Sequence, residues 1–316
     1  MRVFLVFIYL FLFNILGAQN LDSVSVLISK KDLGSAKQLI DEYVLLNPND
    51  VKGYLLKAEV YNQLSKDPAS KELVGDALQV SFNSIKNAYS IDNKLVNSTL
   101  KPSNYKLIFD IYKGYSYEGV AFFNAAITNN NKANFKESYA TFKKAEAVSK
   151  YIYTNGWGLT ETDTLNLYYL ALSSIHADND NVAVLYCKRI ADNRLFKNDK
   201  YKGYEQIYEW LAYYFKGKNE PEPLLKYTDI GNQVFPESRY FDENYIEWLT
   251  DQKDYSELIN RYEHLFTRGL ATNDDKYAYL VVIFNYLPNT EETLKISLLN
   301  KFEKGINDYI IENPAS

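Results

Sequence analysis

The residues of this chain that could do chemistry are few and scattered. Cys187, His176 and His264 are all the thiol and imidazole it has. A transition-metal site draws on clustered Cys, His and carboxylate ligands, so this set gives no basis for one, and no metal or cofactor is expected. A thiol becomes a nucleophile when positive charge lowers its pKa. Lys188 and Arg189 follow Cys187 directly, but a helix would turn them onto other faces, so Cys187 is expected as a small buried core residue. Asp178-Asn179-Asp180-Asn181 starts like a calcium loop yet lacks the spaced third ligand, the glycine and the terminal glutamate of an EF-hand. It reads instead as an inter-helix turn ending in a helix cap. Glu243 and Glu247 stand four apart, on one helix face, as a pair of glycosidase carboxylates would. No polar pocket accompanies them in the sequence, and a solvated face is the simpler account. Motifs of the GxSxG, HExxH, GxxxxGKS/T and GxGxxG kinds are missing, so no catalytic residue is assigned and the chain is read as non-enzymatic.

The elements that would hold these residues are helices. Hydrophobic residues make up 47% of the chain and aromatics 16%, enough for a sizeable core, while 13 Gly and 8 Pro are too few for a turn-rich β protein. A net charge of -5 with both signs intermixed is unsuited to neutralising phosphates, so nucleic acid is not an expected partner. Arg2, the apolar run Val3 to Leu16 and the small residues Gly17-Ala18 have the layout of a secretory leader cleaved after Ala18. The run is short of the roughly 20 residues a spanning helix needs, although an uncleaved anchor is the other reading of the same residues. No cysteine follows it, so the expected product is not a lipoprotein but a single helical domain over residues 19–316, periplasmic or secreted.

After Asn20 apolar residues recur at steps of three and four, as in Leu33, Ala36, Leu39, Ile40, Tyr43 and Leu46, and Asn47-Pro48-Asn49-Asp50 then stops that helix. Tyr54, Ala58 and Tyr61 mark the next one. The segment from Gly34 to Tyr61 resembles the tetratricopeptide repeat family, whose unit is two antiparallel helices in about 34 residues. A fuller copy is Tyr208, Leu211, Ala212, Phe215, Leu224, Thr228, Gly231 and Pro236. It is followed one period later by Asp242, Ile246, Leu249, Leu258, Tyr262 and Leu265. Leu167, Leu170, Ala171, Ser174, Ala183, Cys187 and Ile190 form another copy. Degraded copies run through Gly119, Ser138, Phe142 and Ala145 and through Ser81, Ile85 and Ala88. The resemblance covers roughly residues 21–290 and implies an all-α superhelix of about six degenerate hairpins, closed by a C-terminal capping helix near Glu291–Ile311. Trp157, in the loop Asn155-Gly156-Trp157-Gly158, is expected to fold back onto the stack.

The resemblance further implies a concave groove lined by first helices. On the gap-free units it places Lys52, Leu55, Glu59 and Asn62 there, then Tyr168, Leu172, Ile175 and His176, then Gln206, Glu209 and Tyr213, then Tyr240, Glu243, Glu247 and Asp251. Members that clamp a C-terminal carboxylate do so with Lys and Asn on this surface. Here Leu55 and Glu59, Glu209 and Tyr213, and Glu243 and Glu247 stand in those places, so that clamp is missing. The later groove is acidic and aromatic, which suits a basic or neutral polypeptide segment, and the same charges also read as a solvated concave face. The leading expectation is an exported interaction scaffold. A glycan- or nutrient-binding envelope protein and a peptidoglycan-cleaving helical superhelix are the alternatives from other classes.

Overall fold

The breaks between helical patterns work as caps. The first N–H groups of a helix have no partner within it, and a side-chain oxygen just before the helix supplies one. In the computed structural model, which describes residues 21–70, 74–196 and 203–313, Asp32, Asp50, Asp76, Asp92, Asn131, Asp163 and Asp254 each accept such a bond at a helix start. Thr272 and Asp275 cap one another's backbone reciprocally. The leader expected at residues 1–18 lies outside the described residues.

The helices fall into two compact units, Met1–Asp178 and Asn179–Ser316. The first contains α1 (residues 21–29), α2 (Leu33–Leu46), α3 (Val51–Lys66), α4 (Ala77–Ile91), α5 (Asn93–Leu100), α6 (Lys106–Asn129), α7 (Lys132–Thr154) and α8 (Thr164–His176). The second contains α9 (Asp180–Asp192), α10 (Gly203–Lys218), α11 (Pro221–Val234), α12 (Tyr240–Gln252), α13 (Tyr255–Thr267), α14 (Asn273–Tyr286) and α15 (Glu292–Glu312). Among the described residues there is no strand. Each helix packs chiefly on its chain neighbour, so the hairpins stack in order: α3 with α4 and α6 with α7 in the first unit, and α10 with α11, α12 with α13 and α14 with α15 in the second. This is the all-α repeat architecture that the periodicity implies.

Close approach within the hairpins depends on small residues. Ser81 on α4 donates to the Ala58 carbonyl of α3 (2.6 Å), and Ser138 on α7 donates to the Gly119 carbonyl of α6 (2.9 Å). Both serines are fully buried, and both bonds join equivalent positions of two hairpins. A methyl group on Gly119 would lie 2.7 Å from the ring of buried Phe142. In the second unit the close approach is between successive hairpins, where Gly231 of α11 lies against the ring of Phe241 of α12.

Three details depart from or complete the sequence reading. The short helix α5 has no counterpart in the repeat pattern. Asp92 ends α4 and caps α5, and burial of Val96 and Leu100 holds α5 in place. Trp157 does fold back: it is buried, stacks on Tyr105 (5.0 Å between centroids) and donates to Asn97 Oδ1 (2.7 Å). The segment at 178–181 is a turn, with Asp178 in the left-handed region (φ 55°), but the cap is made by backbone alone. The Asn179 carbonyl accepts the Ala183 N–H (2.9 Å), while its side chain makes no capping bond.

Cys187 is fully buried in α9, and burial raises its thiol pKa. Lys188 points over the Phe215 ring and Arg189 over the Tyr186 ring, so neither cation is directed at the sulfur. The last helix is only half polar. Leu298 is buried and Gly305 lies against Leu280, whereas Leu294, Ile296, Leu299, Ile310 and Ile311 remain exposed.

The Gly119→Ala variant should lose about 1–3 kcal/mol, because Phe142, fully buried and stacked on Tyr169, would have to shift. A lower urea midpoint for first-unit unfolding, with an unchanged m-value, is the expected result; an unchanged midpoint would show that the ring gives way freely.

Candidate functional site

On the second unit, the first helices α10 and α12 lie side by side. Tyr240 opens α12, and its hydroxyl donates to the Glu209 carbonyl of α10 (3.4 Å). Burial pushes the Tyr240 hydroxyl up to about 12, and the neighbouring Glu209, Tyr213 and Glu247 add to that shift. Four residues assigned to the groove from the repeat are therefore brought together: Glu209, Tyr213, Tyr240 and Glu247. Glu209 is half-buried. Burial first, and then the nearby Glu205, raise its carboxyl above the ordinary range. Glu247 is exposed and takes Lys216 at 2.5 Å, and Tyr213 is 62% exposed. The face thus combines carboxylates with an open aromatic ring, which is the chemistry that receives Lys or Arg side chains.

The remaining assigned residues are placed differently. Gln206 and Asp251 are exposed on α10 and α12. Glu243 is held by Arg239 (2.9 Å), which also reaches the Leu270 carbonyl (2.6 Å) and Asp275 (2.9 Å), so its charge is committed to tying α12 to the start of α14. In the first unit Tyr168 is buried and meets Tyr169 edge-on at 5.1 Å. His176 is half-buried and stacks on Phe135 at 4.7 Å. Burial lowers its imidazole pKa, partly opposed by Asp178.

The first unit has a groove of another character. Lys52, Leu55, Glu59 and Asn62, which the repeat places on one face of α3, all line a cleft of about 620 Å³. Leu56 and Leu100 share its apolar lining. Asn62 is 2% exposed, and its Oδ1 is buried with no hydrogen-bond partner.

One cluster was not anticipated. Asp242 stands where the repeat pattern carries a core residue, and it is fully buried. Asn232 Nδ2 donates to it (2.9 Å), Arg261 Nη1 donates (3.1 Å), and His264 Nδ1 lies at 3.2 Å. Arg268 bonds to its other carboxyl oxygen, to Asn232 Oδ1 (2.6 Å) and to the carbonyls of Pro236 (2.6 Å) and Ser238 (3.0 Å). Arg261 also pairs with Asp229 (3.1 Å) and lies over the Tyr245 ring (4.8 Å). A cleft of about 430 Å³ opens beside the cluster. Four of the five N–H groups of Arg268 already have protein acceptors, so the arrangement locks the turn after α11 onto the end of α13. A charged residue at a core position was the available signal. Its partners lie 10 to 26 residues away and no local pattern links them.

No family model matches the chain, and no curated protein matches it. Among solved structures it is similar to PilW, a widely conserved type IV pilus biogenesis factor, at 16% identity over 89% of this chain and 98% of that one, with a TM-score of 0.29. It is also similar to the structure of Naa15/Naa10 bound to HypK-THB, at 16% identity over 93% of this chain and 46% of that one, with a TM-score of 0.27. These scores are too low to transfer a partner, and the fold rests on the helix packing itself.

The Asp242→Ala variant should cost the second unit about 3–5 kcal/mol, the usual penalty for leaving buried cations without their counter-ion. Thermal unfolding followed by tryptophan fluorescence would show a large drop in midpoint; a change no larger than that of an exposed Asp251→Asn variant would mean that the cluster is not structural.

Proposed function

We propose that this chain is an exported interaction scaffold that holds a basic polypeptide segment on the α10–α12 face of its second unit. The observation that carries the reading is the convergence of Glu209, Tyr213, Tyr240 and Glu247 on one open face, with the Glu209 carboxyl raised by burial and by Glu205. A carboxyl in that condition gains from an arriving cation, which stabilises its ionised form and offsets the repulsion from Glu205. Tyr213 offers its ring to the same cation. Export is the expectation from the leader-like residues 1–18. Among the described residues, no helix is long and apolar enough to cross a membrane.

A lysine-rich, capped octapeptide should bind the whole chain with an affinity that falls as salt rises, because exposed charges are screened. Neutralising both partners in the Glu209→Gln, Glu247→Gln variant should weaken it about tenfold. Binding should also move the Glu209 carboxyl titration to lower pH in a carbon-detected NMR titration. Equal affinity for the double variant, measured by fluorescence anisotropy, would remove this face from the account.

A further inference from the structure

The cleft beside the Asp242 cluster holds a guanidinium that is buried and only partly used. Its volume of about 430 Å³ is within the range of small-molecule sites, and every side chain lining it is polar or charged. Arg261 is 6% exposed, with its guanidinium set over the Tyr245 ring (4.8 Å). Its Nη1 donates to Asp229 and to Asp242, both at 3.1 Å. Nε and Nη2 have no acceptor among the described residues, yet they are not sealed in, so they open on the cleft that Arg261 lines. Those two nitrogens form the parallel N–H fork that fits a carboxylate. The acceptors of the cleft are also incompletely used. Glu257 stands one turn before Arg261 on α13 and is not paired with it; Asn260 Nδ2 holds its carboxylate (3.1 Å). Nearly half of the Asp229 side chain is exposed, and only its Oδ1 is given to Arg261. A carboxylate only accepts, so the contact of His264 with Asp242 puts the proton of the neutral ring on Nδ1 and leaves Nε2 as a third acceptor.

We propose that this cleft binds a free α-amino acid with a small polar side chain. The carboxylate lies in the Nε–Nη2 fork of Arg261, and the ammonium, with its three N–H groups, is shared among Asp229, Glu257 and His264 Nε2. Charge favours a zwitterion over a simple ion. Three carboxylates, those of Asp229, Asp242 and Glu257, surround two guanidiniums, Arg261 and Arg268. An added anion meets an excess of its own sign, and an added cation leaves the fork empty. A zwitterion supplies both partners and leaves the total charge unchanged. The polar lining gives an aliphatic or aromatic side chain no seat, which restricts the ligand to residues of the serine kind. Little ordering is needed on binding, because Asp229, Asp242 and the Tyr245 ring already fix the plane of the guanidinium. The site belongs to the second helices α11 and α13 and is independent of the α10–α12 face.

The test is isothermal titration calorimetry of the whole chain with L-serine, for which one saturable site per chain is expected. N-acetyl-L-serine has no ammonium and L-serinamide has no carboxylate. Each should bind at least about tenfold more weakly, since each leaves charged groups of the cleft unmet. L-leucine should be weakened by a similar factor, because its side chain would cover polar groups without pairing them. The Glu257→Gln variant leaves the bonds of Asp242 in place and should weaken L-serine about tenfold with little change in thermal midpoint. The Arg261→Lys variant keeps the charge, removes the fork and should abolish binding; should it fail to fold, the analogues decide with no change to the protein. Absence of saturable L-serine binding overturns the proposal. So does equal binding of L-serine and either analogue, of L-serine and L-leucine, or of L-serine to the wild type and to a folded Glu257→Gln variant. Equal binding of N-acetyl-L-serine in particular would make the cleft a simple anion site.

Discussion

Everything in this molecule depends on how closely neighbouring helices can approach. Gly119 beneath Phe142 and Gly231 beneath Phe241 set that distance, because at either place a single methyl group would meet a buried ring. Where approach is close enough, a buried serine reaches across to a main-chain carbonyl, as Ser81 does to Ala58 and Ser138 to Gly119. Such bonds occupy the second lone pair of carbonyls already used within the helix, so they add adhesion without disturbing the helical ladder. The second unit has leucines, Leu224 and Leu258, where the first has those serines, and its α12–α13 hairpin is joined by the charged cluster around Asp242.

Much of this could be read from the sequence because it is local. Caps such as Asp50 and Asp163 lie a few residues from the N–H groups they bind, and the apolar steps that define each helix recur within one turn. The helical hairpins, the burial of Cys187 and the return of Trp157 to the stack follow from that local order. The common lining of Lys52, Leu55, Glu59 and Asn62 was also legible, since all four ride on one helix. What could not be read depends on distance along the chain. Asp242 finds Arg268 only after α12 and α13 have folded against one another, and the Arg239 bridge that occupies Glu243 requires the start of α14. Tyr168 and His176 illustrate another limit: a first-helix register says which way a side chain leaves the helix, but not whether Tyr169 or Phe135 will then cover it.

The two grooves offer different chemistry. Charge is long-ranged and forgiving of geometry, so an acidic aromatic face gathers a partner quickly and selects it loosely. An amide at the bottom of an apolar cleft acts at contact distance and accepts few orientations, so it selects narrowly.

The sealed thiol in α9 has a consequence for the lifetime of the molecule. With a single cysteine the chain has no partner of its own with which to form a disulfide, so any disulfide must join it to another molecule. Nothing of the kind can start while Cys187 is fully enclosed. In an oxidising medium, each opening of α9 would therefore risk a covalent capture that refolding cannot reverse. What protects the protein there is not how far the folded state lies below the unfolded one but how rarely α9 opens: the endurance of the chain is a rate, set by the barrier to exposing one sulfur atom.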